Sequence, residues 1–177
     1  RVDHINFKMI VDDMWFSRKS LQPGQRIADI GVFNENGEPT KLRDLHKDKP
    51  LLLVTGSMTC PVTVSSLPTL SDFQAKLGDQ VNIVLVYVRE AHPGEDFPQP
   101  QTLQEKIDHA KMLQQVYAVD FPVVVDGIDG ELHKALETMP NSAHLIGTDG
   151  TLLFRSLFST DHAAVDKALA AVSTGQE

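Results

Sequence analysis

The chain has a single cysteine, Cys60, among 177 residues. One cysteine excludes any intramolecular disulfide, structural or catalytic, and any zinc site built from cysteines alone. No apolar stretch approaches the roughly 20 residues needed to span a bilayer. Cations are scarce: Lys+Arg 16 against Asp+Glu 24 leaves a formal net charge of -8. With no Lys/Arg stripe anywhere, nucleic acid is excluded as the expected partner. Internal repeats and low-complexity segments are lacking too. What is there is ordinary globular composition, 41% hydrophobic and 23% charged, at a length suited to one well-packed domain. The chain begins at Arg1 rather than Met, so an upstream piece is expected to have been removed, with room in it for a signal or anchor. Compartment is therefore not legible, and a soluble cytoplasmic domain is the default expectation.

Residues 1–24 read as a helical arm, with Ile5, Met9, Met14 and Trp15 on one face and Pro23-Gly24 as the break. Residues 25–46 read as an antiparallel hairpin. In it Ile27 to Phe33 is strand-like and Asn34-Glu35-Asn36-Gly37 supplies the turn. Residues 50–173 read as an alternating α/β core. Leu51–Thr55, Val81–Val88 and Phe121–Val125 are continuous apolar strands. Leu67, Leu70, Phe73 and Leu77 recur at helical spacing, with Gly78 as the expected C′ stop. Thr102-x-x-Glu105 is a capping box opening a helix through Tyr117. Leu132 to Leu136 suggests a short helix. His144–Ile146 and Leu152–Phe154 flank the turn Thr148-Asp149-Gly150, and Asp161 to Val172 closes the chain as an amphipathic helix. Apolar strands without alternation mean a sheet covered on both faces. The pattern predicts a thioredoxin-like mixed sheet flanked by helices, with an N-terminal β-hairpin extension, forming one domain.

Cys60 stands where the first core strand ends and a helix begins with Pro61. That junction points a side chain at the positive end of a helix dipole, where an anionic nucleophile is favoured. The carboxyl ends of strands are also where open α/β sheets place their sites. The tetrad Cys60-Pro61-Val62-Thr63 has a hydroxyl where thioredoxin-type enzymes have a second, resolving cysteine. Turnover therefore calls for an external thiol. Ser57 and Thr59 put two more hydroxyls within one turn of Cys60. They serve either to steady the sulfur and pass a proton, or to cap the helix and satisfy the loop backbone.

A second stretch, Arg89-Glu90-Ala91-His92-Pro93, ends the second core strand, beside the first. His92 there would act on the thiol, with Glu90 orienting its ring. The alternative is a solvated strand end holding an Arg89–Glu90 ion pair. His46, His109, His133 and His162 fall on polar faces or loops and read as solvated; His144 reads as either core or site.

Together these residues resemble the iodothyronine deiodinase family. Its Gly-Ser-x-Thr-Sec-Pro centre is matched by Gly56-Ser57-Met58-Thr59-Cys60-Pro61, with cysteine for selenocysteine. Its Ser-x-Leu-Pro is matched by Ser65-Ser66-Leu67-Pro68. Its Val-Tyr-x-x-Glu-Ala-His-Pro is matched by Val86-Tyr87-Val88-Arg89-Glu90-Ala91-His92-Pro93, and its Ala-x-x-Leu-Gln-Gln by Ala110 to Gln115. The hairpin is similar to that of peroxiredoxin-like domains. The resemblance implies a thioredoxin-like fold and a Cys60 that accepts iodine from an aromatic ring. It also implies a proton relay through Ser57 and Thr59, and a hydrogen-bonded pair of Glu90 and His92. Two family features are not matched. Pro100 stands where the family has a second, substrate-contacting histidine, and Met139-Pro140-Asn141-Ser142 replaces a Glu-Arg pair. Thr63, Pro140 and Asn141 are the candidate substrate contacts, with Pro140 near the place where related folds carry a cis-proline.

The leading expectation is reductive dehalogenation of an iodinated aromatic, without a bound cofactor or metal. The runner-up is a one-cysteine thiol peroxidase. Against it, Leu53 stands at the proline position of the peroxiredoxin Pro-x-x-x-Thr/Ser-x-x-Cys motif, and no arginine is near Cys60 in sequence. A non-catalytic thioredoxin-like binding module is the third reading. Expected partners are a small-molecule substrate and a thioredoxin- or glutathione-type reductant, with a homodimer left open.

Overall fold

The structure is a computed structural model that describes residues 21–136 and 139–173. The expected helical arm before residue 21 lies outside the described residues, as does the tail beyond Ser173. The strands are β1 (Gly31–Phe33), β2 (Pro39–Lys41), β3 (Leu51–Gly56), β4 (Asn82–Tyr87), β5 (Val123–Asp126), β6 (Ala143–Ile146) and β7 (Leu152–Ser156). The helices are α1 (Leu42–His46), α2 (Pro61–Leu77), α3 (Leu103–Val116), α4 (Glu131–Ala135) and α5 (His162–Ser173).

All seven strands join one sheet in the order β2-β1-β5-β4-β3-β6-β7. β3, β4 and β5 run parallel, and the hairpins at either flank are antiparallel. The N-terminal hairpin thus continues the sheet beyond β5.

Both faces are covered, which is why β3 and β4 read as unbroken apolar runs. Alternate residues point to opposite faces. Leu52 and Val54 pack on one side with Leu67, Leu70 and Phe73 of α2, Leu113 of α3 and Leu169 of α5. Leu51 and Leu53 pack on the other with Leu42 of α1 and Leu132 of α4. The Thr102–Glu105 capping box is formed in full. Gly78 does stop α2, but as a C-cap at φ −59°, not in the left-handed conformation expected of a C′ glycine.

Ile27 to Ile30 is not strand. Ile27 N–H donates to Gly150 O, at the turn joining β6 and β7, and Ile30 N–H donates to Ala28 O. With those donors engaged elsewhere, only Gly31–Phe33 pair with β2.

Candidate active site

β3 and β4 are parallel and in register to their last residues, Gly56 opposite Tyr87. Val88 N–H continues the ladder to Gly56 O at 2.9 Å. The segments that follow, 57–60 and 88–92, therefore leave the sheet side by side. Cys60 is the N-cap of α2, in extended conformation, with Pro61 next. A proline at the first helical position forfeits nothing, because the N–H it lacks has no intrahelical acceptor there. Cys60 is a free thiol, 3% exposed.

Glu90 lies at the centre of the site. Its side chain is fully buried. One carboxylate oxygen, Oε2, accepts from Thr59 N–H at 3.1 Å and from Thr59 Oγ at 2.8 Å. The other, Oε1, accepts from the Tyr87 hydroxyl and faces His109 Nδ1 at 3.0 Å. A carboxylate acting only as acceptor toward several donors fits an ionised group. Tyr87 also accepts from Met58 N–H at 3.0 Å, so the loop before Cys60 is held by two residues of the β4 end. Burial, reinforced by the hydrogen bond and charge of Glu90, pushes the Tyr87 phenol well above its ordinary range and keeps it a donor. Lys106, one turn before His109, is buried and donates to Gly127 O at 3.1 Å. Burial lowers its pKa, opposed by the charges of Asp126 and Glu90.

Ser57 is buried, and its Oγ accepts from Ala91 N–H at 3.2 Å. Thr59 Oγ donates to Glu90 while accepting from His92 N–H at 3.1 Å. The two hydroxyls thus tie the cysteine loop to segment 88–92 and are not caps of α2, whose N-cap is Cys60.

His92 itself is exposed and meets this cluster through its backbone. The expected Glu90–His92 pair is corrected by the geometry: the histidine ring hydrogen-bonded to Glu90 belongs to His109. The Arg89–Glu90 alternative gives way as well, since Arg89 is exposed while Glu90 is buried.

The three candidate substrate contacts face differently. Thr63 is fully buried, and its Oγ accepts from Ser57 N–H at 3.3 Å and Asn141 Nδ2 at 3.2 Å. Asn141 also donates to Thr55 O and accepts from Ser159 Oγ at 2.6 Å. Its amide is turned inward, where it ties the start of β6 to β3 and α2. Pro140 is half-buried, and no described peptide bond is cis.

Two members of the cluster escaped the sequence reading. Tyr87 carried a signal, since a tyrosine inside an aliphatic strand needs a partner for its hydroxyl. His109 was expected in solvent, yet its side chain is only 15% exposed. It stands on α3 three residues after buried Lys106 and four before buried Leu113, the spacing of one helix face. His46 and His133 are likewise buried, bonded to Thr148 O and Met139 O, and His162 is half-buried against Thr69. Among the described residues no group of three His, Cys, Asp or Glu side chains is placed to hold a metal ion. No described helix is long and apolar enough to cross a membrane.

A mixed sheet covered on both faces, with one thiol at a central strand-to-helix junction, defines a protein of the thioredoxin-like fold. Solved structures agree. Peroxidoxin BcpB from Mycobacterium tuberculosis superposes with a TM-score of 0.66 at 17% identity, covering 89% of this chain and 99% of that one. The exposed lipoprotein thioredoxin Etrx1 from Streptococcus pneumoniae gives 0.58 at 23% identity, covering 81% and 98%. Within that fold the chain belongs to the iodothyronine deiodinase family, whose family model matches residues 6–156. Thyroxine 5-deiodinase from Gallus gallus is 31% identical over 122 residues, covering 63% of this chain and 47% of the relative. The chain thus spans about half the length of such curated relatives.

Proposed function

We propose that the chain is a thiol-dependent oxidoreductase that reductively dehalogenates an iodinated aromatic, with Cys60 as nucleophile. The observation that carries this reading is the Thr59–Glu90 hydrogen bond, which sets an acceptor carboxylate one residue from the thiol. Glu90 takes the thiol proton by way of Thr59, whose hydroxyl passes its own proton to Oε2. The Cys60 sulfur attacks iodine, the carbon–iodine electron pair goes to carbon, and that carbon receives the stored proton back. The balance is Cys60–SH plus aryl iodide giving Cys60–S–I plus arene. Two equivalents of an external thiol of the thioredoxin or glutathione type then return Cys60–SH, with a disulfide and HI as products. Ser57 holds the loop, and His92 stands exposed beside it, tied to Thr59 by its backbone. Thr63 and Asn141 support the site from within, while Pro140 remains the residue of that group with surface to offer a substrate.

A second reading, one-cysteine peroxidase, is favoured by a different observation. At 3% exposure Cys60 admits a small oxidant more readily than an aromatic ring. There the sulfur would attack peroxide, release water or alcohol, and await thiol as sulfenic acid.

The deciding experiment is iodide release from a small iodinated phenol under excess dithiol, comparing wild type with Cys60→Ser. Release that vanishes in the variant supports dehalogenation. No release from wild type overturns it, and thiol-dependent peroxide consumption then tests the second reading.

A further inference from the structure

One histidine links the buried carboxylate of the site to the loop that borders it. His109 Nδ1 lies 3.0 Å from Glu90 Oε1, while its ring meets Phe97 edge-on, centroids 5.2 Å apart and planes at 68°. Phe97 belongs to the irregular segment between β4 and α3, closed on itself by Gly94 N–H to Phe97 O at 2.9 Å. The same segment includes His92, whose N–H reaches Thr59. The Glu90 side chain has no solvent exposure and that of His109 has 15%. His109 therefore gives Glu90 its partner on the outer side, from a rigid helix and not from the loop.

We propose that His109 is the positioning residue of this site: its N–H fixes the Glu90 carboxylate so that Oε2 faces Thr59, and its ring seats the 93–101 loop through Phe97. This rests on the reading of Glu90 as proton acceptor for Cys60. A buried carboxylate stripped of its outer donor either rotates away from Thr59 or loses its charge. Either change leaves the thiol without an acceptor. The effect reaches Cys60 only through Glu90, so the two residues act as one unit.

Cys60 is the only cysteine, so alkylation by iodoacetamide at neutral pH reports on it alone. His109→Leu keeps bulk against Phe97 but has no N–H, and His109→Asn returns a donor close to the place of Nδ1. Loss of a charge-assisted hydrogen bond predicts alkylation slower by about tenfold in His109→Leu, with most of the rate retained in His109→Asn. Glu90→Gln combined with His109→Leu should be no slower than Glu90→Gln alone. His109→Ala replaces the leucine variant if circular dichroism shows that the latter does not fold. Wild-type rates in His109→Leu, equal losses in the Leu and Asn variants, or additive losses in the double variant would each overturn the proposal. The iodide assay run alongside separates the two ideas. Absent iodide release with the alkylation pattern intact removes dehalogenation and leaves His109 in place, whereas release with unchanged alkylation removes only His109.

Discussion

Glu90 accepts two hydrogen bonds at one oxygen from a single residue, Thr59, at 3.1 Å from the backbone nitrogen and 2.8 Å from the hydroxyl. The residue between Thr59 and the α2 helix is the thiol itself. This pairing converts the parallel register of β3 and β4 into a fixed distance between the cysteine loop and a carboxylate. The ladder that pairs Gly56 with Tyr87, extended by Val88 N–H to Gly56 O, brings the two segments off the sheet side by side.

Glu90→Gln tests that pairing. An amide can keep its oxygen toward Thr59 N–H and Oγ–H only by turning its NH2 group toward Tyr87 and His109, which must then accept where they served the carboxylate as partners. Losing the charge-assisted bonds and reversing those roles in a buried place costs about 1–3 kcal/mol. The expected result is a lower urea midpoint by that amount, together with loss of iodide release. An unchanged midpoint would mean that Glu90 contributes to chemistry alone.

Tyr87→Phe removes a hydroxyl that donates to Glu90 and accepts from Met58 N–H. Buried Glu90 and half-buried Met58 each lose a bond, so about 1–3 kcal/mol of stability should go with it. In the wild type the sign for pH follows from the raised pKa. The folded state favours the neutral phenol, so its contribution is present below the unfolded value of about 10 and is lost as pH rises above it. Tyr87 should therefore add nothing to phenolate absorbance at 295 nm until the protein unfolds, so Tyr87→Phe should leave the native-state titration unchanged. A native-state phenolate signal that Tyr87→Phe removes would contradict the buried assignment.

The strands and capping box were legible because each rests on local pattern, as Leu51–Gly56 and Thr102–Glu105 illustrate. The family motifs were legible for the same reason, each being a short contiguous run. His109 was not legible, since its meaning depends on α3 bringing it against Glu90, a residue of the preceding loop. Asn141 is a parallel case. Its type suited a substrate contact, but its partners Thr55, Thr63 and Ser159 converge on it only in three dimensions. Ile27 to Phe33 had strand composition, and the turn at Gly150 drew its first half away.

Gly56→Ala probes how tightly the β3 end is built. A Cβ there would fall 2.6 Å from Thr63 Cγ2 and 2.8 Å from Leu85 Cδ1. Both neighbours are buried, so the overpacking should cost about 1–3 kcal/mol in urea unfolding. Thr63 also accepts from Ser57 N–H, so the displacement reaches the cysteine loop. Adding Thr63→Ser removes the methyl and keeps the hydroxyl, and should restore part of the loss. A double variant no more stable than Gly56→Ala would place the clash at Leu85.

His144 settles as core, opposite Leu53 on β3, with Nδ1 buried and unpartnered. Burial, and then the positive charge of Arg155, push its pKa down to about 3 from the ordinary 6.5. The folded state therefore resists a proton that the unfolded chain accepts. Its contribution to stability is full above pH 6.5 and is lost progressively as pH falls from there toward 3. His133, lowered mainly by burial, adds to the same acid limb. His144→Leu replaces the titrating ring with an apolar side chain on an apolar face and leaves His133 in place. Between pH 7 and pH 5 the stability difference should move in favour of the variant by roughly 2 kcal/mol, at about 1.4 kcal/mol per pH unit below the unfolded value. Urea unfolding of both proteins at the two pH values measures this directly. A difference that does not change with pH would mean that His144 takes up its proton without leaving the fold.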